Sequence, residues 1–297
     1  MSKRVLITGS EGFTGKYVSA EFTQAGWEVW GAGVQEKPED AQYLQIDLLQ
    51  PDSLKPIAQK IKPDVVIHLA AIAFVAESDP NIFYQVNLMG TRNLLEVLAS
   101  AEAPPECTIL ASSANVYGNS KLEILSETSP THPANDYAVS KLAMEYLART
   151  YHDRLPIVIT RPFNYTGVGQ SGRFLIPKIV NHFKRRAPVI ELGNLDVARE
   201  FSDVRDVAKT YRLLAEHRPT GETINLCSGQ PLSLHECLSL AGEISGHTLG
   251  VEVNPAFVRS NEVARLSGDR TKLESLIAAP APRDFGDTLE WMLRHPL

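Results

Sequence analysis

Tyr137 and Lys141 lie four residues apart in this sequence and could together perform acid–base chemistry. On a helix, this spacing directs both side chains from one face. Free tyrosine titrates near pH ~10, so it is a poor acid or base at neutral pH unless a nearby cation stabilises the phenolate. Lys141 could be that cation, and Tyr137 could then exchange a proton with a substrate hydroxyl or ketone. Most such pairs are ordinary helix surface, so this interpretation requires a dinucleotide site upstream, because a nicotinamide carries the hydride.

A dinucleotide site is predicted at the start of the chain. A short apolar run at residues 5–7 is followed by a Gly-x-x-Gly-x-x-Gly turn and then a helical pattern, which is the order such a site requires. The glycines let the backbone approach a pyrophosphate, whose charge then lies on the free N–H groups of the helix N-terminus. A plain glycine-rich turn is the alternative. The residues expected at the cofactor here are Gly9, Gly12, Phe13, Thr14 and Gly15.

The end of the second strand, residues 28–33, bears on the choice of cofactor. An Asp or Glu at that end would bond the ribose 2′-hydroxyl and favour NAD. The sequence has Gly31, Ala32 and Gly33 there, which we expect to leave open space, and Lys37 is the nearest cation. A 2′-phosphate could be accommodated, so NADP(H) is favoured and NAD(H) is possible.

Strand and helix patterns alternate along the rest of the first half. The predicted strands are 44–48, 63–71, 107–113 and 155–161, and the predicted helices are 53–61, 80–100 and 137–152. This alternation predicts an α/β fold with a Rossmann-like, doubly wound parallel sheet. Asp47 could accept from the adenine amino group or could cap the following turn. His68 lies in an apolar run and is more often a satisfied core histidine than a catalyst.

Ligands of such sheets gather at the carboxyl ends of the strands. This rule brings the glycine turn, the end of the 63–71 strand, the two serines that end the 107–113 strand and the segment 162–164 to one edge, near Tyr137. The further residues expected at the cofactor are Asp47, Leu48, Leu69, Ala70, Ala71, Ser112, Tyr137, Lys141 and Pro162.

The combined motifs resemble the extended short-chain dehydrogenases/reductases that act on nucleotide sugars. The motifs are Thr-Gly-x-x-Gly-Phe-x-Gly, His68-Leu-Ala-Ala, Ser112-Ser-x-x-Val-Tyr-Gly118, Tyr137-x-x-x-Lys141 and Arg161-Pro-Phe-Asn164. The resemblance covers essentially the whole chain. It implies a catalytic set of Ser113, Tyr137 and Lys141, in which Ser113 bonds the sugar C4 oxygen. Lys141 would also lower the tyrosine pKa and hold the nicotinamide ribose.

The second half is expected to carry the substrate. We predict a dinucleotide-binding domain over residues 1–165, with a return near 203–228, and a smaller, interleaved α/β domain for the nucleotide sugar over 166–297. The resemblance assigns Arg199 and Arg259 to the substrate diphosphate, because guanidinium binds phosphate oxygens bidentately. It also gives Asn164 a phosphate contact and Glu262 a ribose hydroxyl. On composition alone, each arginine side chain would be expected to lie on the solvated surface of the protein.

Within that family, the segments 161–170, 192–206 and 225–229 resemble the GDP-6-deoxy-4-keto-mannose reductases. This implies NAD(P)H-dependent reduction of the C4 ketone of a nucleotide-linked 6-deoxy-hexulose, with GDP-4-keto-6-deoxy-mannose favoured. A 4-epimerase or 4,6-dehydratase with retained cofactor is the second possibility, and a non-catalytic dinucleotide sensor is the third. Ala114 and Asn115 stand where family dehydratases carry an acid pair, and neither can move a proton in elimination.

The bulk properties narrow the partners. A net charge of −6 argues against nucleic-acid and anionic-membrane surfaces, which need a basic face. No apolar run approaches the roughly 18 residues of a membrane span, so we expect a cytoplasmic protein. Three scattered cysteines predict buried thiols and no metal site. The resemblance implies a homodimer formed through residues 137–152 and 80–100, and burial under the second domain is the alternative reason for their apolar content.

Overall fold

The fold is seen in a computed structural model that describes residues 2–37, 39–74, 79–195, 197–255 and 265–296. Its main layer is a seven-stranded parallel sheet. The strands of this sheet are β1 (Arg4–Thr8), β2 (Glu28–Gly33), β3 (Tyr43–Gln45), β4 (Val65–His68), β5 (Cys107–Ala111), β7 (Ile157–Pro162) and β12 (Thr223–Leu226). Their spatial order is β12-β7-β5-β4-β1-β2-β3. The α/β, doubly wound prediction is therefore confirmed.

Helices cover both faces of this sheet. The helices of the described chain are α1 (Phe13–Gln24), α2 (Pro51–Pro56), α3 (Thr91–Ala99), α4 (Asp136–Arg149), α5 (Leu175–Lys184), α6 (Val204–His217), α7 (Leu234–Ser245), α8 (Thr271–Ile277) and α9 (Phe285–Arg294). Of these, α1, α6 and α8 pack on one face of the sheet, and α2, α3 and α4 pack on the other. Two π-helical segments, Ile57–Ile61 and Phe83–Gly90, and a 3₁₀ turn, Ala114–Tyr117, complete the helical set of the described chain.

The central strands are apolar on both sides because each side meets a helical layer. In β1, Val5 and Ile7 face a core shared with α1 and α6, whereas Leu6 faces the core shared with α3 and α4. All three side chains are fully buried. Because the adjacent strands run parallel, their carboxyl ends lie at one edge of the sheet, and the loops that follow them meet there.

Several predicted boundaries shift for local reasons. The helix predicted over 53–61 begins at Pro51 and becomes π-helical at Ile57, directly after Pro56, which has no N–H to donate. The strand predicted over 44–48 ends at Gln45, because residues 47–53 form a hydrogen-bonded turn. The helix predicted over 137–152 begins at Asp136 and ends at Arg149.

The second half builds a separate apolar core around α5, α7 and α9. Its small sheets contain β6 (Ile124–Leu125), β8 (Tyr165–Thr166), β9 (Val189–Leu192), β10 (Ala198–Glu200), β11 (Ser202–Asp203), β13 (Pro231–Ser233), β14 (Gly250–Val253) and β15 (Arg265–Gly268). The chain also returns to the main layer, because β12 pairs with β7 and α6 packs against α1. The division into residues 1–165 with a return near 203–228, and 166–297, stays a prediction.

Candidate active site

The glycine turn after β1 forms a cradle in which the glycine positions have no room for a side chain. Gly9 has a φ of +70°, and a Cβ placed on it would lie 2.8 Å from the Ala70 nitrogen. A Cβ on Gly15 would lie 2.6 Å from Ser10 Cα. Gly12 caps the N-terminus of α1, whose first N–H groups lack partners within the helix. This backbone cradle fits a pyrophosphate group.

The other residues predicted for the cofactor lie at the same edge of the sheet. Leu69, Ala70 and Ala71 follow β4, Ser112 and Ser113 follow β5, and Pro162 is the last residue of β7. Because β1, β4, β5 and β7 are neighbours in the sheet, the structure brings these positions together. Their individual contacts with a cofactor stay predictions.

Ser113 and Tyr137 meet at this edge. Ser113 caps the 3₁₀ turn, its Oγ accepting from the Asn115 N–H (3.1 Å), and it forms a hydrogen bond with Tyr137. Tyr137 is held in the first turn of α4, which Asn135 caps by accepting from the Ala138 N–H (2.9 Å). Ser113 and Tyr137 belong to two different sequence motifs, and the rule on strand ends predicts that they lie close together.

Lys141 lies on the same face of α4, one turn further on. It is 5 % exposed, and its Nζ donates to the Ala111 carbonyl at the end of β5 (2.8 Å). Burial lowers its pKa to about 8, and the charge of Glu145 opposes that shift. The ammonium is therefore fixed between the catalytic helix and the sheet.

The pKa of Tyr137 differs from the sequence-based expectation. Burial raises it to about 12, the hydrogen bond with Ser113 opposes the rise, and Tyr165 adds to it. The expected lowering by Lys141 does not dominate, because desolvation disfavours a buried phenolate and the ammonium is directed at Ala111. At neutral pH, Tyr137 therefore carries its proton and can donate it.

A buried ion pair anchors the next turn of α4. Arg161 donates from Nη2 to Glu145 Oε2 (2.7 Å) and from Nε to Glu145 Oε1 (2.9 Å). Ser112 Oγ donates to the same Oε1 (2.6 Å), and Arg161 Nη1 donates to the Tyr117 hydroxyl (3.0 Å). Glu145 is 0 % and Arg161 3 % exposed. Sequence reasoning missed Glu145, although its position four residues after Lys141 places it on the same face.

His68 belongs to a second buried network. Its Nδ1 lies 2.7 Å from Thr8 Oγ1 and its Nε2 lies 2.9 Å from Thr91 Oγ1, which itself donates to the Asn87 carbonyl (2.7 Å). Burial lowers the His68 pKa to about 3, and the charge of Lys141 adds to the effect. The interpretation of His68 as a satisfied core histidine is confirmed.

Asn87 connects this network to the catalytic helix. Its Oδ1 accepts from the Ile72 N–H (2.9 Å) and its Nδ2 donates to Ser140 Oγ (3.1 Å). Ser140 Oγ in turn donates to the Tyr137 carbonyl (2.8 Å). The loop after β4 and the first turn of α4 are thus fixed relative to each other.

At the adenosine end, Asp47 caps a turn. Its Oδ1 accepts from the Leu49 N–H (2.9 Å), and its backbone carbonyl accepts from Ser53 Oγ (2.9 Å). These contacts correspond to the capping alternative, and an adenine contact stays a prediction. Leu48 is 6 % exposed and packs against Gly90, where a Cβ would lie 2.8 Å from Leu48 Cβ.

The space expected beside Gly31 and Gly33 is filled. A Cβ on Gly33 would lie 2.8 Å from the Tyr43 hydroxyl oxygen, and one on Gly31 would lie 2.7 Å from Ser10 Oγ. The expectation of open space is wrong, because the ring of Tyr43 on β3 folds over these glycines. Lys37, the expected cation, forms an ion pair with Glu11 (2.6 Å).

The predicted substrate residues are only partly described. Asn164 follows β7, its side chain is exposed, and its carbonyl accepts from the Ser202 N–H (2.9 Å). Arg199 is half-buried in β10, and its Nη1 donates to the Ala198 carbonyl (2.8 Å). Arg259 and Glu262 lie outside the described residues.

Three further features concern metals, thiols and membranes. Among the described residues, no group of three or more His, Cys, Asp or Glu could hold a metal ion. Cys107, Cys227 and Cys237 are buried free thiols, and burial raises the pKa of Cys107 and of Cys237 to about 12. Within the ranges that the structure describes, no helix has the length and apolar character to cross a membrane.

Comparison with known proteins places this site in a family. A family model described as the NAD dependent epimerase/dehydratase family matches residues 5–227. The chain belongs to this family. GDP-6-deoxy-D-talose 4-dehydrogenase from Aggregatibacter actinomycetemcomitans is 36% identical over 277 residues, covering 92% of this chain and 91% of that protein. GDP-6-deoxy-D-mannose reductase from Pseudomonas aeruginosa is 36% identical over 285 residues, covering 92% and 90%.

A solved structure supports the same assignment. The structure of RMD from Pseudomonas aeruginosa complexed with NADPH superposes with a TM-score of 0.86 and 31% identity, covering 98% of both chains. This family member therefore shares the fold of that structure over nearly its whole length, including the second half.

Proposed function

We propose that the protein reduces the C4 ketone of a nucleotide-linked 6-deoxy-hexulose with NAD(P)H, and that GDP-4-keto-6-deoxy-mannose is its substrate. The observation that carries this proposal is the buried, protonated Tyr137, which is hydrogen-bonded with Ser113 at the edge where the glycine cradle lies. A ketone that accepts a hydride needs a proton at the same time, and Tyr137 holds that proton at neutral pH. Relatives of this chain are named for dehydrogenation and reduction of GDP-6-deoxy sugars.

Each catalytic residue has a distinct role in this proposal. Ser113 donates to the C4 oxygen and orients it, and Tyr137 gives that oxygen its proton. Lys141 places a positive charge at the end of β5, where it stabilises the phenolate that remains after the transfer. The nicotinamide, when bound, supplies the hydride.

The residues that would hold the cofactor follow the edge of the sheet. The cradle of Gly9, Gly12 and Gly15, with the N–H groups of Phe13 and Thr14, suits the pyrophosphate. We place the adenosine near Asp47 and Leu48, and the nicotinamide half beside the remaining predicted residues. These are Leu69, Ala70, Ala71, Ser112, Tyr137, Lys141 and Pro162.

NADP(H) is the favoured cofactor, and NAD(H) is second. The C-terminal end of β2 carries no carboxylate within the described chain, since Glu28 lies at the opposite end of the strand and pairs with Arg4 (3.0 Å). The P. aeruginosa structure with NADPH agrees with this preference. Specificity constants for the two reduced cofactors test it directly, and a clear preference for NADH would contradict it.

The substrate diphosphate is assigned to Arg199 and Arg259, with Asn164 at a phosphate and Glu262 at a ribose hydroxyl. The GDP preference follows from the relatives that act on GDP sugars. The sequence contains Ala114 and Asn115 after Ser113, so this site has neither an acid nor a base at these positions for water elimination.

A nucleotide-sugar 4-epimerase is the second candidate, because the family includes epimerases and the same three residues serve a hydride that returns to its sugar.

The decisive experiment supplies GDP-4-keto-6-deoxy-mannose made with a separate dehydratase. We expect one NADPH to be oxidised for each ketone reduced, and GDP-mannose alone to remain unchanged. Failure to reduce the ketone, together with interconversion of a nucleotide sugar and its C4 epimer without net oxidation or reduction of nicotinamide, would establish the epimerase. Dehydration of GDP-mannose alone would overturn the argument from Ala114 and Asn115.

We further propose a cytoplasmic homodimer. Phe83–Gly90 and α4 pack against each other, and on them Met89, Val139 and Tyr146 are 43%, 37% and 58% exposed. A second copy would cover these apolar side chains. Mass measurement at micromolar concentration tests the dimer, and Tyr146→Glu should weaken it. A strictly monomeric mass for the unaltered protein would contradict this proposal.

A further inference from the structure

Two buried hydroxyls at the end of β2 have no hydrogen-bond partner. Among all the residues that the structure describes, only four buried side-chain polar atoms lack one, and Ser10 Oγ and the Tyr43 hydroxyl are two of them. Ser10 is 5 % exposed. Burial raises the pKa of the Tyr43 hydroxyl, and the Gln35 backbone N–H opposes that rise. The N–H does not, however, meet the hydroxyl oxygen at the distance and angle of a hydrogen bond. An unpaired buried hydroxyl costs stability, so such groups often serve a ligand.

Both hydroxyls point at the same short segment. Ser10 Oγ lies 2.7 Å from the Cβ position of Gly31, and the Tyr43 hydroxyl lies 2.8 Å from that of Gly33. In dinucleotide-binding folds, the ribose 2′ position lies at the end of this strand. The segment therefore presents two neutral donors where a ribose 2′-oxygen or its phosphate would arrive.

A cation and an anion border the same segment. Lys37 Nζ lies 5.3 Å from the centre of the Tyr43 ring, and its ammonium is bound by Glu11 Oε1 (2.6 Å). Glu11 belongs to the glycine turn, next to Ser10, and not to β2. A carboxylate thus lies at this end of the site, and it comes from the glycine turn and not from the end of β2.

The two charges have opposite effects on a 2′-phosphate. A phosphate dianion is attracted by Lys37 and repelled by Glu11, and it must compete with Glu11 for the ammonium. A 2′-hydroxyl is uncharged and does not compete. The ion pair therefore lowers affinity for the phosphorylated ribose while leaving affinity for the unphosphorylated ribose nearly unchanged.

We propose that Glu11 sets how strongly this protein takes a 2′-phosphorylated adenosine, by holding Lys37 as an internal counter-ion beside Ser10 and Tyr43. The inference rests on the proposed dinucleotide cofactor and refines it. It assigns the discrimination between the 2′-phosphate and the 2′-hydroxyl to the glycine turn rather than to the second strand.

Adenosine 2′,5′-bisphosphate and adenosine 5′-monophosphate test this inference without any turnover. Their dissociation constants are measured by calorimetry at low ionic strength for the unaltered protein and for Glu11→Gln. We expect Glu11→Gln to bind the bisphosphate about tenfold more tightly, because the substitution frees Lys37 and removes a like charge, and to bind the monophosphate equally well. Lys37→Met should weaken the bisphosphate alone.

A double variant and a matched control separate the pair from general charge effects. In Glu11→Gln/Lys37→Met, most of the gain from Glu11→Gln should disappear, because the two side chains act through each other. Glu36→Gln changes the net charge equally, one residue from Lys37, at an exposed position. It should leave both dissociation constants unchanged.

The outcomes are distinct from those of the proposed function. An unchanged or weaker bisphosphate affinity in Glu11→Gln would overturn the inference, as would a gain that survives in the double variant or that Glu36→Gln reproduces. If the unaltered enzyme prefers NADH but Glu11→Gln still gains affinity for the bisphosphate alone, the preference for NADPH fails and this inference stands.

Discussion

The two ends of the predicted cofactor site are built differently. At the catalytic end, the charged and polar side chains bind each other: Glu145 accepts from Ser112 and Arg161, and Lys141 donates to Ala111. At the adenosine end, Ser10 and Tyr43 have unpaired hydroxyls, and the charges meet in a partly exposed ion pair. One end is complete within the chain, whereas the other leaves donors for a ligand.

This difference has a physical reason. Acid–base chemistry benefits from groups that are already oriented, since reorganisation during the reaction would raise its barrier. Binding a ribose needs donors that are free when the ligand arrives, and the cost of leaving them unpaired is recovered on binding. We therefore expect substitutions at the catalytic end to affect stability and turnover, and substitutions at the adenosine end to affect ligand affinity.

The largest effect is expected from Glu145→Ala. This substitution leaves the guanidinium of Arg161 buried without its counter-charge, and breaking such a pair costs about 3–5 kcal/mol. The free energy of unfolding, measured by urea titration, should fall accordingly. Glu145→Ala/Arg161→Met should be less destabilised, because no charge remains buried.

Glu96→Ala is the matched control for that substitution. Glu96 binds Arg154 in an exposed ion pair (3.2 Å), with side chains 55% and 47% exposed. Loss of an exposed pair costs about 0.2–1 kcal/mol. Glu96 also accepts from the Tyr151 hydroxyl (2.8 Å), and loss of that hydrogen bond adds about 0.5–1.5 kcal/mol. If Glu145→Ala were no more destabilising than Glu96→Ala, the catalytic end would not depend on its internal pairing, and the contrast between the two ends would fail.

The next largest effect is expected from Tyr137→Phe. It removes the proton donor and the hydrogen bond with Ser113, so turnover should fall by at least the ~10²-fold typical of a lost general acid. The binding of NADPH, followed by its fluorescence, should change little. Tyr146→Phe removes the same atom from an exposed position on α4 and should keep normal turnover. Near-normal turnover of Tyr137→Phe would contradict the catalytic assignment.

Local sequence patterns predict the catalytic end well. The spacing of Tyr137 and Lys141 and the rule on strand ends predict that Ser113 lies near Tyr137. The alternation of strands and helices predicted the parallel sheet for the same reason, since each step depends on nearby residues. The direction of the Tyr137 pKa shift was not predictable, because it depends on burial by the whole fold.

The adenosine end could not be predicted in the same way. Tyr43 covers Gly31 and Gly33 only because β3 pairs with β2, and Glu11 reaches Lys37 across the sheet edge. These contacts join residues 10 to 26 positions apart and have no periodic signal. Glu145 is an intermediate case: its spacing from Lys141 is a local signal, but its partner Arg161 comes from another strand.

A smaller effect is expected from pH, through His68. Its pKa is about 3 in the folded protein, below the ordinary value of 6.5, so the unfolded chain binds the proton first as pH falls. Stability from this residue is present above pH 6.5 and is lost as pH falls from 6.5 towards 3, by at most about 1.4 kcal/mol per pH unit. His68→Gln should be less stable at pH 7, but its stability should depend less steeply on pH between 6.5 and 5. Equal slopes would show that His68 does not titrate on unfolding.

The smallest effect is expected from removing one hydroxyl at the adenosine end, and the same substitution at the catalytic end provides its comparison. The Tyr117 hydroxyl accepts from Arg161 (3.0 Å) and donates to Asn225 Oδ1 (2.7 Å), so Tyr117→Phe leaves two buried groups short of a partner and should cost about 1–3 kcal/mol. The Tyr43 hydroxyl has no partner within the described chain, so Tyr43→Phe removes a desolvated group and should leave the free energy of unfolding of the ligand-free protein unchanged or slightly higher. Urea titration of both variants without ligand measures the difference. A loss at Tyr43 as large as that at Tyr117 would mean that its hydroxyl is already satisfied, and the adenosine end would then be as complete as the catalytic end.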